Sequence, residues 1–134
     1  MFFDESRLPA LVSGARNAAA RAHAPYSQFR VGACLLADDG SLFFGCNVEN
    51  ASYGLAICAE RNAIFQMVAA GRRSFEAIIV YTPTPDPTPP CGACRQVMNE
   101  FSRDAVVISV CDGTGLRRAT VAELLPGAFD LKTR

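Results

Sequence analysis

The sequence predicts an α/β fold: a three-layer α/β/α sandwich around a mixed, roughly five-stranded sheet. Three observations predict it. Strand-like and helix-like segments alternate from residue 41 to 111, with connections long enough for crossover helices, which argues that these strands pair in parallel. Two segments, "FEAIIVYT" (75–82) and "AVVISVCD" (105–112), are nearly continuous apolar runs, the pattern of strands covered on both faces. An opening pair, "FRVGACLLA" and "SLFFGCNVE", is joined by the turn "DDG", which adds a hairpin and makes the sheet mixed.

The elements follow in order. Residues 4–23 read as a helix, because Leu8, Leu11, Val12, Ala15 and Ala19 recur at helical spacing. Pro9 falls in its first turn, where a missing N–H costs little. "PYSQF" ends that helix, and 29–37 and 41–49 follow as strands. A second helix starts near Cys58 and stops at Gly71, a residue type suited to a helix end. The strand at 75–82 leads into "PTPDPTPP" (83–90), which reads as a stiff loop delivering Cys91, with too little chain beyond it for another independent domain. A third helix occupies about 91–101. The strand 105–112 follows, then a strand at 116–121 and a short helix or turn at "AELLPGAF". At 134 residues the expectation is one domain spanning 1–134.

Composition narrows the function classes. Thirteen basic and thirteen acidic residues leave no net charge, which argues against nucleic-acid binding through a broad basic surface. The longest apolar runs are strand-sized and too short to cross a bilayer. The beginning "MFFDESRLPAL" lacks the basic region and long apolar core of a secretory signal, so a cytoplasmic location is expected. The six cysteines are therefore read as metal ligands or buried residues rather than as disulfides.

Three of the six fall at apparent helix starts: Cys58 in "ICAERNA", and Cys91 and Cys94 in "PPCGACRQV". A CxxC alone also fits a redox pair or half of a structural zinc site; the second CxxC that a four-cysteine site needs is missing. Joined by Cys58, the pair offers three corners of a zinc tetrahedron and leaves the fourth open for water, the arrangement of a catalytic zinc. Helix N-termini favour the thiolate form of such cysteines. Glu60, two residues past Cys58, is placed to move protons beside the metal. Three thiolates leave an excess negative charge, and Arg61 and Arg95 are candidates to offset it. Cys34 and Cys111 lie in strand patterns and read as core, and Cys46 as a non-ligand.

"CAE" and "PCGAC" together match the zinc deaminase signature in its three-cysteine form. With "PYSQFRVGA", "GCNVENASYGLAICAERNAI", "PCGACRQVMNEF" and "LLPGAF", most of the chain resembles the small homotetrameric cytidine deaminases. The resemblance implies one Zn2+ per subunit, a nucleoside substrate, and active sites shared between four copies, with neither nucleic acid nor membrane as partner. It implies that Asn47 and Glu49 bind the ribose 3′-hydroxyl, that Phe29 and a neighbouring subunit's Phe129 pack against the pyrimidine, that Tyr53 approaches a neighbour's sugar, and that Ala59 offers its backbone to the base. Glu60 then takes a proton from the attacking water and passes protons to N3 and to the leaving amino group, giving uridine or deoxyuridine and ammonia. Two other readings stay open: another aminated nucleoside-like substrate, blasticidin S among them, and a zinc-stabilised binding module without catalysis. An RNA-editing deaminase fits less well with neutral charge and cysteine as first ligand.

Overall fold

In the computed structural model, which describes residues 3–131, five strands form one sheet in the order β2-β1-β3-β4-β5. The strands are β1 (Gly32–Ala37), β2 (Leu42–Cys46), β3 (Phe75–Tyr81), β4 (Val106–Val110) and β5 (Leu116–Thr120). Helix α1 (Leu8–Ala19) covers one face. On the other lie α2 (Ala59–Ala69), α3 (Gly92–Phe101) and the single turn α4 (Val121–Leu124). This is the expected α/β/α sandwich on a mixed sheet.

Strand periodicity divides the core between the two faces. Ala33, Leu35 and Ala37 of β1 pack toward α2 and α3, while Cys34 and Leu36 pack toward α1 with Leu11 and Ala15. In β3, Ile78 and Val80 face the first layer and Ala77 and Ile79 the second. Every residue of β1 is buried, because this strand is covered on both sides. A register shift beside Leu36/Ala37 pairs Ala37 with Phe75 and Leu36 with Ala77, which lets Phe75 join the α2 side.

The topology corrects one expectation. The β2–α2–β3 crossover does not bring its two strands side by side: β1 lies between them and pairs antiparallel to both. The parallel pair is β3 with β4, joined through α3, and β5 returns antiparallel. A helix-sized connection makes β2 and β3 parallel in direction, but the hairpin partner already occupies the intervening position.

Element ends also move inward, each for a visible reason. The first helix starts as a 3-10 turn (Glu5–Arg7) capped by Asp4, and the α-helix ends at Ala19. His23 leaves it because its N–H donates to Asn47 O and its carbonyl accepts from Glu49 N–H. Strand β1 begins at Gly32 rather than 29 because Asn47 intercepts the chain: its Nδ2 donates to Phe29 O and its Oδ1 accepts from Val31 N–H. Helix α2 stops before Gly71, which adopts φ +90°, as its composition suggests. Thr120 and Glu123 form a reciprocal capping box that starts α4. Among the described residues, no helix is long and apolar enough to cross a membrane.

Candidate metal centre and active site

Two helix starts converge. Cys58 is the residue before α2 and Cys91 the residue before α3; both have extended backbone and make no capping hydrogen bond through their side chains. Cys94 lies within the first turn of α3 and is buried, whereas Cys58 is half-buried and Cys91 exposed. The three sulfur atoms lie within 4.8 Å of one another. Cys58 Sγ is 3.8 Å from Cys91 Sγ, and Cys91 Sγ is 3.4 Å from Cys94 Sγ. A tetrahedral zinc with bonds of about 2.3 Å spaces its sulfurs by about 3.8 Å, so the donor set fits the ion closely.

The electrostatics suit a cation. Interaction with the Cys94 thiol, reinforced by hydrogen bonds from Arg61 and Cys91, pulls the Cys58 thiol down to about 5. Cys94 moves the opposite way, first because its proton is shared toward Cys58 and then because it is buried. Cys58 and Cys94 thus favour one shared negative charge over two, a repulsion that a divalent cation would relieve. Arg61 Nη2 reaches Cys58 Sγ at 3.5 Å, and its Nε is buried without a hydrogen-bond partner. The guanidinium therefore lies against the Cys58 sulfur.

Glu60, the second residue of α2, is buried at 5% exposure. Burial, followed in effect by the negative charge of Cys58, raises its carboxyl to about 7. A carboxyl so placed can accept and return a proton near neutral pH, which is what a proton shuttle needs.

Its helix sits close to the sheet because of Gly45. A Cβ there would stand 2.2 Å from Ala59 O and 2.5 Å from Ala63 N. Ala59 is fully buried at this contact. Asn62 Nδ2 and Gln66 Nε2, also on α2, donate to the outward carbonyls of Cys46 and Phe44.

The expected sugar-binding residues tie the chain to itself. Asn47 bridges Phe29 and Val31, as above. Glu49 Oε1 accepts from the N–H groups of Tyr26 and Ser27, and Oε2 accepts from the Ser27 hydroxyl. Those bonds, Ser27's first, hold the carboxyl below its usual range, so it is a carboxylate at neutral pH. Phe29 and Phe129 are both exposed, and Tyr53 is exposed with its ring set edge-on to Tyr26, 5.7 Å between centroids. Tyr26 and Ser27 are not singled out by the sequence; the signal for them is the serine between the aromatics of "YSQF", whose Oγ accepts from Phe29 N–H in a side-chain-supported turn.

Arg95 departs from expectation. Its Nε donates to Pro90 O at 2.8 Å and its Nη1 to Leu124 O at 3.0 Å, so it braces backbone rather than thiolates. Cys34 and Cys111 are buried and Cys46 lies outside the thiol cluster, as expected. A groove of about 740 Å³ is elsewhere, between α1, β2 and α2, lined by Phe44, Cys46 and Phe65 among others.

Residues 6–110 match the family described as cytidine and deoxycytidylate deaminase zinc-binding region. The chain is 47% identical over 120 residues to a cytidine deaminase of Sporosarcina psychrophila, covering 89% of this chain and 88% of that one. It is 50% identical over 120 residues to a cytidine deaminase of Halalkalibacterium halodurans, covering 89% and 91%. Its fold is similar to the crystal structure of cytidine deaminase from Burkholderia pseudomallei, with TM-score 0.88 and 49% identity over 90% of this chain and 98% of the other. With three thiols spaced for zinc and a buried carboxyl beside them, this chain belongs to the zinc-dependent cytidine and deoxycytidylate deaminase family.

Proposed function

We propose that the protein hydrolyses cytidine and deoxycytidine to uridine and deoxyuridine with release of ammonia. The observation that carries this reading is Glu60, a buried carboxyl raised toward neutrality two residues past Cys58 of the three-thiol cluster. A binding module would keep the thiols for folding but gains nothing from a buried carboxyl, which is costly without a task.

Cys58, Cys91 and Cys94 would hold zinc, which when bound would supply Lewis-acid activation of water. Arg61 offsets the excess thiolate charge through Cys58. Glu60 takes the proton of the attacking water and delivers it to N3, which makes C4 more electrophilic. It then helps protonate the amino group, because ammonia leaves far more readily than its anion. Asn47 and Glu49 take the 3′-hydroxyl, which both donates and accepts, while their remaining bonds hold 26–31 in place. Phe29 and Phe129 supply apolar surface for the base, Ala59 its backbone, and Tyr53 a contact to sugar.

The resemblance implies a homotetramer in the cytoplasm with shared sites. Exposure of Phe129, Tyr53 and Leu55 supports a surface that is completed by another copy. The test is ammonia release by zinc-replete protein from cytidine, deoxycytidine, cytosine and blasticidin S. Turnover of both nucleosides without cytosine is expected. No turnover of either nucleoside by zinc-loaded protein would overturn the substrate assignment.

A further inference from the structure

Arg95 sits four residues past Cys91, yet its two observed donors go to backbone carbonyls of two different segments. Nε holds the carbonyl of Pro90, the residue immediately before Cys91, and Nη1 holds the carbonyl of Leu124, the last residue of α4. The next side chain, Gln96, donates from Nε2 to Phe129 O at 3.1 Å. Adjacent residues of α3 therefore reach both ends of the segment 124–129.

The contact matters because Cys91 is the exposed thiol of the three. Packing places Cys94; Cys91 is held on one side by α3, whose Arg95 N–H donates to its carbonyl at 3.1 Å, and on the other by the backbone that precedes it. That backbone is the proline-rich loop, and five of the eight residues from 83 to 90 are proline. Those five have no N–H, so the loop cannot secure itself by a regular ladder. Its far end is fastened from outside: Asp112 N–H donates to Thr84 O at 2.9 Å and the Cys111 thiol to Pro85 O at 3.4 Å. At the end that carries the ligand, the fastening is Arg95 Nε on Pro90 O.

We propose that Arg95 is a positioning residue that ties Cys91 to the segment 124–129, so that metal occupancy and the order of that segment are coupled. The inference rests on the zinc reading of the three thiols. It replaces charge compensation as the role of Arg95. The planar guanidinium offers several donors in a fixed fork and can hold two carbonyls at once, whereas lysine brings a compact ammonium on a flexible stem. Coupling between two sites is reciprocal, so loosening either end is felt at the other.

Wild type, Arg95→Lys and Arg95→Ala are loaded with zinc and compared in two ways. Zinc release to a chromophoric chelator is timed, and amide hydrogen exchange of residues 121–129 is followed with zinc present and stripped. Arg95→Lys keeps the charge, so a compensating role predicts wild-type zinc retention. The bridging role predicts release roughly 10–100-fold faster in both variants, the usual range for a residue supporting a ligand. In wild type, stripping zinc raises exchange across 121–129; in Arg95→Lys exchange there is already raised and responds little to the metal. Wild-type retention in Arg95→Lys, or a segment indifferent to zinc in wild type, overturns the proposal. If Arg95→Ala does not fold, Arg95→Lys alone decides. Neither readout involves deamination, so this inference and the substrate assignment fail separately.

Discussion

At the scale of single residues, Glu60 and Arg95 show where spacing is enough and where it is not. Glu60 lies two positions past Cys58 at a helix start, a local spacing that keeps it with its neighbour once α2 packs on the sheet. Replacing it with glutamine keeps the shape and removes the proton transfer, so turnover should fall by about 10²–10⁴-fold with zinc retained. Steady-state kinetics beside metal analysis checks this; near-normal turnover in zinc-loaded Glu60→Gln would remove Glu60 from the mechanism. The thiol cluster was legible for the same reason, since the ligands come from two local motifs. Arg95 was not. Its partners are carbonyls of Pro90 and Leu124, and the second depends on where the chain returns after β5, which no local spacing encodes. Asn47 and Glu49 were legible only through resemblance: their hydrogen bonds to the 26–31 stretch are tertiary, and on sequence alone they read as a polar strand end.

The elements themselves were legible because each carries its own periodicity, and their ends were not, because side chains from elsewhere take the backbone groups there. Asn47 shortens β1 at its start, and His23 leaves α1 to meet Asn47 and Glu49. Strand adjacency was also hidden, since a hairpin partner between β2 and β3 does not alter the pattern of either strand. Helix α2 carries Glu60 and begins next to Cys58, and its seat is Gly45. Ordinary contact needs about 3.4 Å, whereas an alanine Cβ would begin at 2.2 Å from Ala59 O. Gly45→Ala must therefore push the start of α2 outward, and overpacking of this kind costs about 1–3 kcal/mol. Glu60 and Cys58 move with it. A misplacement of about 1 Å can lower turnover by 10²-fold, so kcat/KM should fall further than stability alone explains. Thermal unfolding paired with kinetics on the folded fraction separates the two. Wild-type kcat/KM in Gly45→Ala would show that the helix start is held by something else.

For the whole molecule the two edges of the sheet differ in kind. Strand β5 ends one side with exposed Arg117 and Arg118, charges that discourage another strand from pairing there. Strand β2 ends the other with its outward carbonyls at Phe44 and Cys46 taken by Gln66 and Asn62, and with an apolar groove between it, α1 and α2. Phe44 and Phe65 line that groove and are 42% and 47% exposed, large aromatic surface for a chain with no net charge to keep copies apart. If copies associate as the resemblance implies, the β2 side is the surface that would carry it. Zinc-loaded protein should have a solution mass of four times 14.4 kDa by light scattering. Phe65→Glu places a charge in the groove at a position that the chain's own core does not use, so the fold should persist while the mass drops. If the site is completed by a neighbour's Phe129, that smaller species keeps its zinc and loses turnover, mainly through a raised KM. A Phe65→Glu protein that stays tetrameric would exclude this groove as an interface. One that dissociates with unchanged KM would show that each subunit binds its substrate alone, and the exposure of Phe129 would then need a cause within its own chain.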